Sequence, residues 1–418
     1  MQPVQDAELV QPAGLARENL RHLGREEPRV ILVVLLFAGG ALLLFLSGIA
    51  RYTGYGLDEN VYVNSARALI DNSGQWTPDH PPLGKSLLAI GIKIAGDNAL
   101  GWRVAAAMAG SLTLVAVMLM AYLFVGSLEY TVAAGLLTIF NNFLFVMSRV
   151  ATLDTFLMLY LFWGYLLFCA AIGTSYPATK RNLCLILSGI LLGLAAAVKW
   201  NGLFSIAGLV LIGAIAYLRE RNFSLRWMLA SFSLLAPSAY CLTFSPLFRS
   251  RGESFTFGNL VRAQTEMFVY MRSLPGNIFI HVPWYRWPFQ IEPQRGIDYL
   301  VGNYAVTFGG LLALGFCLWR VVRRFALAEF TIVALYATSL LQWLAIPRKV
   351  TYYYYYYPCV LLLGLAITLA LARWQRKTLL GVRLVLIPVL AAFMMFLFCY
   401  PHMAGLQAPW DTIFGYWR

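Results

Sequence analysis

The chain alternates between long apolar runs and short polar joints. Runs with little or no charge cover residues 30–50, 101–125, 130–148, 151–173, 183–199, 202–218, 227–248, 302–321, 327–346, 351–372 and 381–400. About 20 apolar residues in a helix cross the hydrocarbon core of a bilayer. The pattern therefore predicts an all-α polytopic membrane protein with about eleven spans. Two stretches break the rhythm, 51–100 and 249–301, and both read as non-spanning loops. Within the first, Val61, Ala68 and Leu69 alternate with Asn64, Ser65 and Arg67, which suits a short helix lying along the interface. Pro81-Pro82 stops that segment, and a second interfacial helix is expected over 83–95. The chain divides into a polar tail (1–29), a membrane module (30–248) carrying the loop 51–100, a second loop (249–301), and closing helices with a short tail (302–418).

Composition supports the same reading. Hydrophobic residues make up 60% of the 418 and charged residues 12%, against about 25% charged in soluble domains. A net charge of +13 is spread over short loops, so it reads as a topology signal and no nucleic-acid partner is expected. Six cysteines lie in apolar segments without a CxxC pair, which argues against a disulfide framework or zinc knuckle. The run 30–50 is too long for a signal-peptide core and reads as an uncleaved first helix.

Basic residues orient the chain. With the N-terminus in the cytoplasm, inner segments hold Arg17, Arg21, Arg25, Arg29, Lys180, Arg181, Arg219, Arg221, Arg226, Arg320, Arg323, Arg324, Arg373, Arg376, Lys377 and Arg383. The short outer loops hold only Arg149, Lys199, Arg348 and Lys349. These four work against the orientation signal, and they share a face with Asp58 and Glu59. Acids beside fixed cations suit a site that binds an anionic phosphate and activates a hydroxyl. Each cation alone is equally well explained by snorkelling to lipid headgroups.

The first loop carries the densest chemistry. Asp58-Glu59 follows the first span closely, and a carboxylate there can take a proton from an attacking hydroxyl. Helix-dipole stabilisation at the start of a helix explains a lone acid equally well. Asp79-His80-Pro81-Pro82-Leu83-Gly84-Lys85 combines a rigid turn, a glycine permitting close approach and a compact cation suited to phosphate. A rigid turn into the next helix is the structural alternative.

Asp58, Glu59 and Tyr62 in DExxY form, followed by HPPLGK (His80 to Lys85), resemble the protein O-mannosyltransferases, glycosyltransferase family 39 of the GT-C superfamily, in a short bacterial-type form. Arg149-x-Ala151-x-Leu153-Asp154, Lys199-Trp200-Asn201-Gly202, Trp284 to Pro288, Gly302-Asn303, and Arg348 with the tyrosine run and Pro358 are similar to further family segments. The resemblance covers roughly 50–405. Loop 249–301 has no room for the lumenal carbohydrate-binding insert of eukaryotic members, and the chain ends eighteen residues after its last expected span, without the soluble domain of aminoarabinose transferases. Tyrosines fill the positions 352–357 where a family histidine often lies.

The resemblance implies a GT-C fold with its catalytic part in 30–248. It also implies an inverting transfer of a sugar, mannose by family, from a polyprenyl phosphate to Ser/Thr of exported proteins. Asp58 is then the expected base and Glu59 a supporting group. Lys85, Arg149, Lys199 and Arg348 are the expected phosphate cations. Tyr62, His80, Asp154, Trp200 and Asn201 would line the sugar and acceptor pocket, and for Asp154 pairing with a site cation is an equal alternative. His22, His80, His281 and His402 show no ligand spacing, so neither metal nor cofactor is expected. The expected partners are the lipid-linked donor, a protein or lipid acceptor and membrane lipids. The expected location is the inner membrane, multi-pass, with the site on the extracytoplasmic face. A lipid or glycan acceptor, and a lipid-sugar flippase, remain the competing readings. A flippase would instead place charges near the midplane.

Overall fold

A computed structural model describes residues 14–173, 176–220, 223–275, 281–293, 300–346, 348–374, 378–379 and 382–406. The ends of both expected tails, and Arg221, Arg376 and Lys377 of the expected inner loops, lie outside these residues. The chain runs through α1 (Gly14–Leu46), α2 (Glu59–Ile70), α3 (Leu83–Ala95), α4 (Ala99–Val125), α5 (Leu128–Ile139), α6 (Asn142–Met147), α7 (Asp154–Gly173), α8 (Ala178–Val198) and α9 (Asn201–Glu220). It continues through α10 (Leu225–Ala230), a π turn (Ser231–Leu235), α11 (Ala236–Leu242), α12 (Ser245–Ser250) and α13 (Phe257–Ser273). The last part holds α14 (Tyr304–Arg323), α15 (Leu327–Ala345), α16 (Tyr357–Arg373) and α17 (Leu386–Met403).

Among the described residues ten helical segments are long and apolar enough to span a membrane. The expected span at 130–148 is the exception. It breaks at Phe140-Asn141 into α5 and α6, because the Asn141 side chain accepts from the Phe143 N–H (3.0 Å) and starts a new turn. The carbonyl of Phe140 left over at the break accepts from Asn303 Nδ2 (2.9 Å), which also reaches the Ala392 carbonyl (2.9 Å). The span Leu225–Ser250 contains the π turn. Pro237 lacks an N–H and its ring excludes a regular turn before it, which accounts for the widened backbone there. The glycines Gly189 and Gly193 of α8 pack on this irregular stretch. A Cβ at Gly193 would lie 2.2 Å from the Ala236 carbonyl oxygen.

The helix α16 forms the centre of the bundle and is buried almost end to end. The helices α4 and α7 are largely buried beside it, while α1, α14 and α17 present leucines, valines and methionines outward. Exposed Leu36, Leu43, Leu312 and Val322 suit acyl chains. The chain is a multi-pass membrane protein. In the first loop, α2 and α3 form as expected, and α3 packs closely on α4. There Gly101 has no room for a Cβ, which would fall 1.8 Å from the Gly96 carbonyl oxygen. The second loop contains α13, which hydropathy alone did not single out.

Candidate functional site

Five chain segments meet at one end of the bundle. Asp58 precedes α2, His80 and Lys85 flank the start of α3, Asp154 opens α7, Lys199 joins α8 to α9, and Tyr354 and Tyr355 lead into α16. Leu57 takes a left-handed backbone (φ +43°) immediately before Asp58, a costly conformation for a leucine that helps turn the next side chain inward.

The Asp58 carboxylate does not cap its own helix. Its Oδ2 accepts from the phenols of Tyr354 (3.3 Å) and Tyr62 (3.4 Å). Burial raises the Asp58 pKa above the usual carboxylate value, and the nearby Lys199 charge pulls the other way. Tyr62 is pushed well above its ordinary value by burial and by the neighbouring acids, so it stays a neutral donor. The carboxylate is thus a stronger proton acceptor than a solvated aspartate, held from two sides.

Lys199 pairs with Asp154 (2.7 Å) and lies over the rings of Tyr354 (5.7 Å) and Tyr355 (5.5 Å). Arg348 donates to the Tyr355 hydroxyl (2.5 Å) and covers the same ring (5.4 Å). Among the described residues Arg348 has no carboxylate partner, so its charge is open to an anion. Asp154 therefore pairs with a site cation, one of the two alternatives for it. His80 is nearly buried beside Tyr62 (6.3 Å between rings). Burial and the charges of Lys199, Arg348 and Lys85 hold it well below its ordinary pKa, as a neutral imidazole.

The remaining expected residues are placed differently. Lys85 is fully buried, and its ammonium is taken up by Asp79 and by the Thr77 carbonyl (2.5 Å) under the ring of Trp76 (4.8 Å). Burial lowers its pKa and Asp79 opposes that shift. Gly84 brings this turn against Leu153, one residue before Asp154; a Cβ there would lie 2.7 Å from the leucine methyl. Glu59 turns away from Asp58 into a buried pair with Arg103 (2.7 Å) and accepts from the amides of Gly56 (2.8 Å) and Ala151 (2.6 Å). Every oxygen of Glu59 is thereby committed to holding the loop, which leaves none for an acceptor. Arg103 adds the carbonyls of Ile49, Tyr52 and Gly54 (2.9, 2.7 and 2.8 Å). Arg149 does not join the cluster. Its guanidinium caps the end of α1 through the carbonyls of Phe45 (2.8 Å) and Ser47 (2.6 Å), donors that the helix end requires. Trp200 donates to the Tyr240 hydroxyl (3.0 Å) and packs in a satellite cluster with Trp76 and Phe248. Asn201 bonds Gln342 (3.4 Å) and lines a small cavity with Asp154, Lys199, Trp343 and Tyr355.

Tyr354, Tyr355 and Arg103 are thus the residues that sequence reasoning left without a role. The signal for the tyrosines was Pro358, which marks a helix start and places a tight turn before it. A basic residue at the start of a span, Arg103, was the signal for the other. Together the arrangement sets a carboxylate of raised proton affinity beside two cations, which suits proton removal next to an anionic leaving group.

Comparisons with known proteins identify the family and the fold. Residues 41–249, half of the chain, match the family model described as dolichyl-phosphate-mannose-protein mannosyltransferase. A polyprenol-phosphate-mannose–protein mannosyltransferase of Mycolicibacterium smegmatis is 26% identical over 89% of this chain and 90% of its own length. Its counterpart from Corynebacterium glutamicum is 32% identical over 43% of this chain and 42% of its own length. The S. cerevisiae protein O-mannosyltransferase Pmt1-Pmt2 complex, solved bound to the sugar donor, superposes with a TM-score of 0.79 at 12% identity, over 92% of this chain and 91% of that one. ArnT from Cupriavidus metallidurans superposes at 0.61 and 18% identity over 82% of this chain, which spans 60% of that protein's length. These two likenesses establish the GT-C fold. The chain belongs to the dolichyl-phosphate-mannose-protein mannosyltransferase family and is a polyprenyl-phosphate-sugar-dependent glycosyltransferase.

Proposed function

We propose that this enzyme moves mannose from a polyprenyl phosphate to Ser/Thr hydroxyls of exported proteins, at the extracytoplasmic face of the inner membrane. The observation that carries the reading is Asp58: a desolvated carboxylate, gripped by two phenols, facing Lys199 and Arg348 across the Tyr354–Tyr355 pair. The acceptor hydroxyl gives its proton to Asp58 as its oxygen attacks the anomeric carbon. The bond from that carbon to the phosphate oxygen breaks on the opposite face, which inverts the centre, and polyprenyl phosphate leaves. Negative charge grows on the phosphate, where Arg348 and Lys199 stabilise it; fixed donors of this kind contribute about 3 kcal/mol each in other enzymes. His80 supplies a neutral ring for hydrogen bonds to donor oxygens. Names of the mycobacterial and corynebacterial relatives support a protein acceptor. The excess of basic residues in the opposite loops, set against the few in the short loops beside Asp58, supports the orientation.

The test is transfer of labelled mannose from polyprenyl phosphate to a Ser/Thr peptide by purified protein in liposomes. Wild type is expected to transfer and Asp58→Asn to retain under about 1% of the rate. Full activity in Asp58→Asn rules out the assigned base. A product that partitions with lipid or glycan, with the peptide unmodified, rules out the acceptor.

A further inference from the structure

Six residues separate the helix α13 from the span Leu225–Ser250, and α13 packs directly on the last turns of that span. Ala263 and Met267 are buried against Phe244, Leu247 and Phe248, with Leu260 beside them. The helix is therefore held at the depth where that span leaves the membrane. At about 100° per residue its other two flanks differ in character, with Val269, 58% exposed, lying between them near the charged one. Phe257, Val261 and Phe268 fall within an arc of about 40°, and Asn259, Arg262 and Glu266 within one of about 60° on the opposite side. The first flank is bare: Phe257 is 81% exposed, Phe268 51% and Val261 47%. The second is charged, with Arg262 paired to Glu253 and Glu266 paired to Arg251 (2.9 Å). The guanidinium of Arg272 lies 5.5 Å from the ring of Phe268, a cation at the edge of the bare flank.

The middle and the C-terminal end of α13 also reach toward the site. Gln264 accepts from the Tyr240 hydroxyl, which accepts from Trp200, the neighbour of Lys199. At its C-terminal end Lys349, the neighbour of Arg348, reaches the carbonyls of Arg272 (3.5 Å) and Leu274 (3.4 Å).

We propose that α13 is a lipid-seated helix: its Phe257–Val261–Phe268 flank enters the acyl–headgroup boundary of the leaflet beside the site, and the seated helix holds the Lys199 and Arg348 segments in register. Lipid is the occupant that fits, because the flank sits at the end of a span whose own Leu234 and Leu242 are bare. The charged flank on the far side meets water. A polypeptide partner would leave that two-flanked arrangement without a reason.

Single-cysteine variants at 257, 261 and 268, and at 259, 262 and 266, carry a fluorophore in the full chain, its native cysteines replaced by alanine. They are reconstituted in phosphatidylethanolamine–phosphatidylglycerol vesicles with and without bromine on the acyl chains. Quenching by bromine at least about twofold stronger on the first set supports lipid seating. Equal quenching on both flanks overturns it. Shielding of the first set from both bromine and aqueous iodide also overturns it, in favour of a protein cover. The depth arm needs no substrate, so it stands apart from the proposed reaction. The activity arm rests on that reading: Phe257→Glu with Phe268→Glu is expected to lower kcat/KM for the lipid donor about tenfold in vesicles, as misplacement of a phosphate grip would. Phe257→Leu with Phe268→Leu keeps it within about twofold, since apolar area is retained. Unchanged kcat/KM in the glutamate pair, with melting temperature intact, overturns the link to the cation segments.

Discussion

At the residue scale, the two adjacent acids have separated tasks. Asp58 faces the cations with spare lone pairs, and Glu59 is saturated by Arg103 and two amides. Because burial raises the Asp58 pKa, its folded-state value exceeds the unfolded one. Such a group favours folding below its unfolded pKa, and the contribution is lost as pH rises through the folded value. At neutral pH the Asp58 charge is therefore a cost to stability, and Asp58→Asn is expected to lose transfer while melting no lower than wild type. The base must be ionised to act, so the acid limb of the pH–rate profile is expected above the ordinary carboxylate range. Tyr354→Phe removes a hydrogen bond to the charged form and should move that limb to still higher pH. An acid limb that stays put in Tyr354→Phe excludes the phenol from this role. The DExxY and HPPLGK strings made Asp58, Tyr62 and His80 legible from the chain. The split between Asp58 and Glu59 was not, because it depends on Arg103, which lies 44 residues away in sequence.

At the element scale, hydropathy located nearly every span, since bilayer thickness sets helix length whatever the packing. It missed the break in 130–148, where Asn141 and Asn142 are too few among leucines and phenylalanines to interrupt an apolar average. The break is stable because Asn303 closes it from another helix end. No local pattern announces such a partner. Asn303→Ala removes the donor shared by two buried carbonyls and should cost about 2 kcal/mol. Thermal unfolding in detergent reads this as a lowered midpoint. Asn303→Asp should lower it at least as much, since a carboxylate cannot donate to either carbonyl. A midpoint equal to wild type in both variants shows that the break holds itself. The π turn before Pro237 and the glycines of α8 opposite it belong to the same class: proline is visible in the sequence, the glycine pairing across helices is not.

At the scale of the whole molecule, the site exists only when distant segments converge. Lys199 enters from the α8–α9 joint, and Arg348 from the segment leading to the central α16. A ligand that bridges them binds the folded bundle and not the unfolded chain, so it must raise stability in proportion to its affinity. The gain is about 2.7 kcal/mol at a concentration one hundred times Kd. Polyprenyl phosphate, which has the headgroup anion and no sugar, isolates the grip on phosphate from the chemistry. It is expected to raise the melting midpoint of wild type and of Arg149→Ala by the same increment. Arg149→Ala itself should start lower, because α1 loses the donor that caps its last carbonyls. In Arg348→Ala the increment should largely vanish, since the one site cation with no carboxylate partner among the described residues is gone. In Lys199→Ala the starting midpoint should also drop, because Asp154 is left buried without its partner, and the ligand increment should shrink as well. The increment, not the midpoint, separates a residue that grips the donor from one that holds the bundle. A full increment in Arg348→Ala, or a lost one in Arg149→Ala, would reverse the assignment of these two arginines. Hydropathy and loop charge placed both on the same face, and only the packing around each distinguishes them.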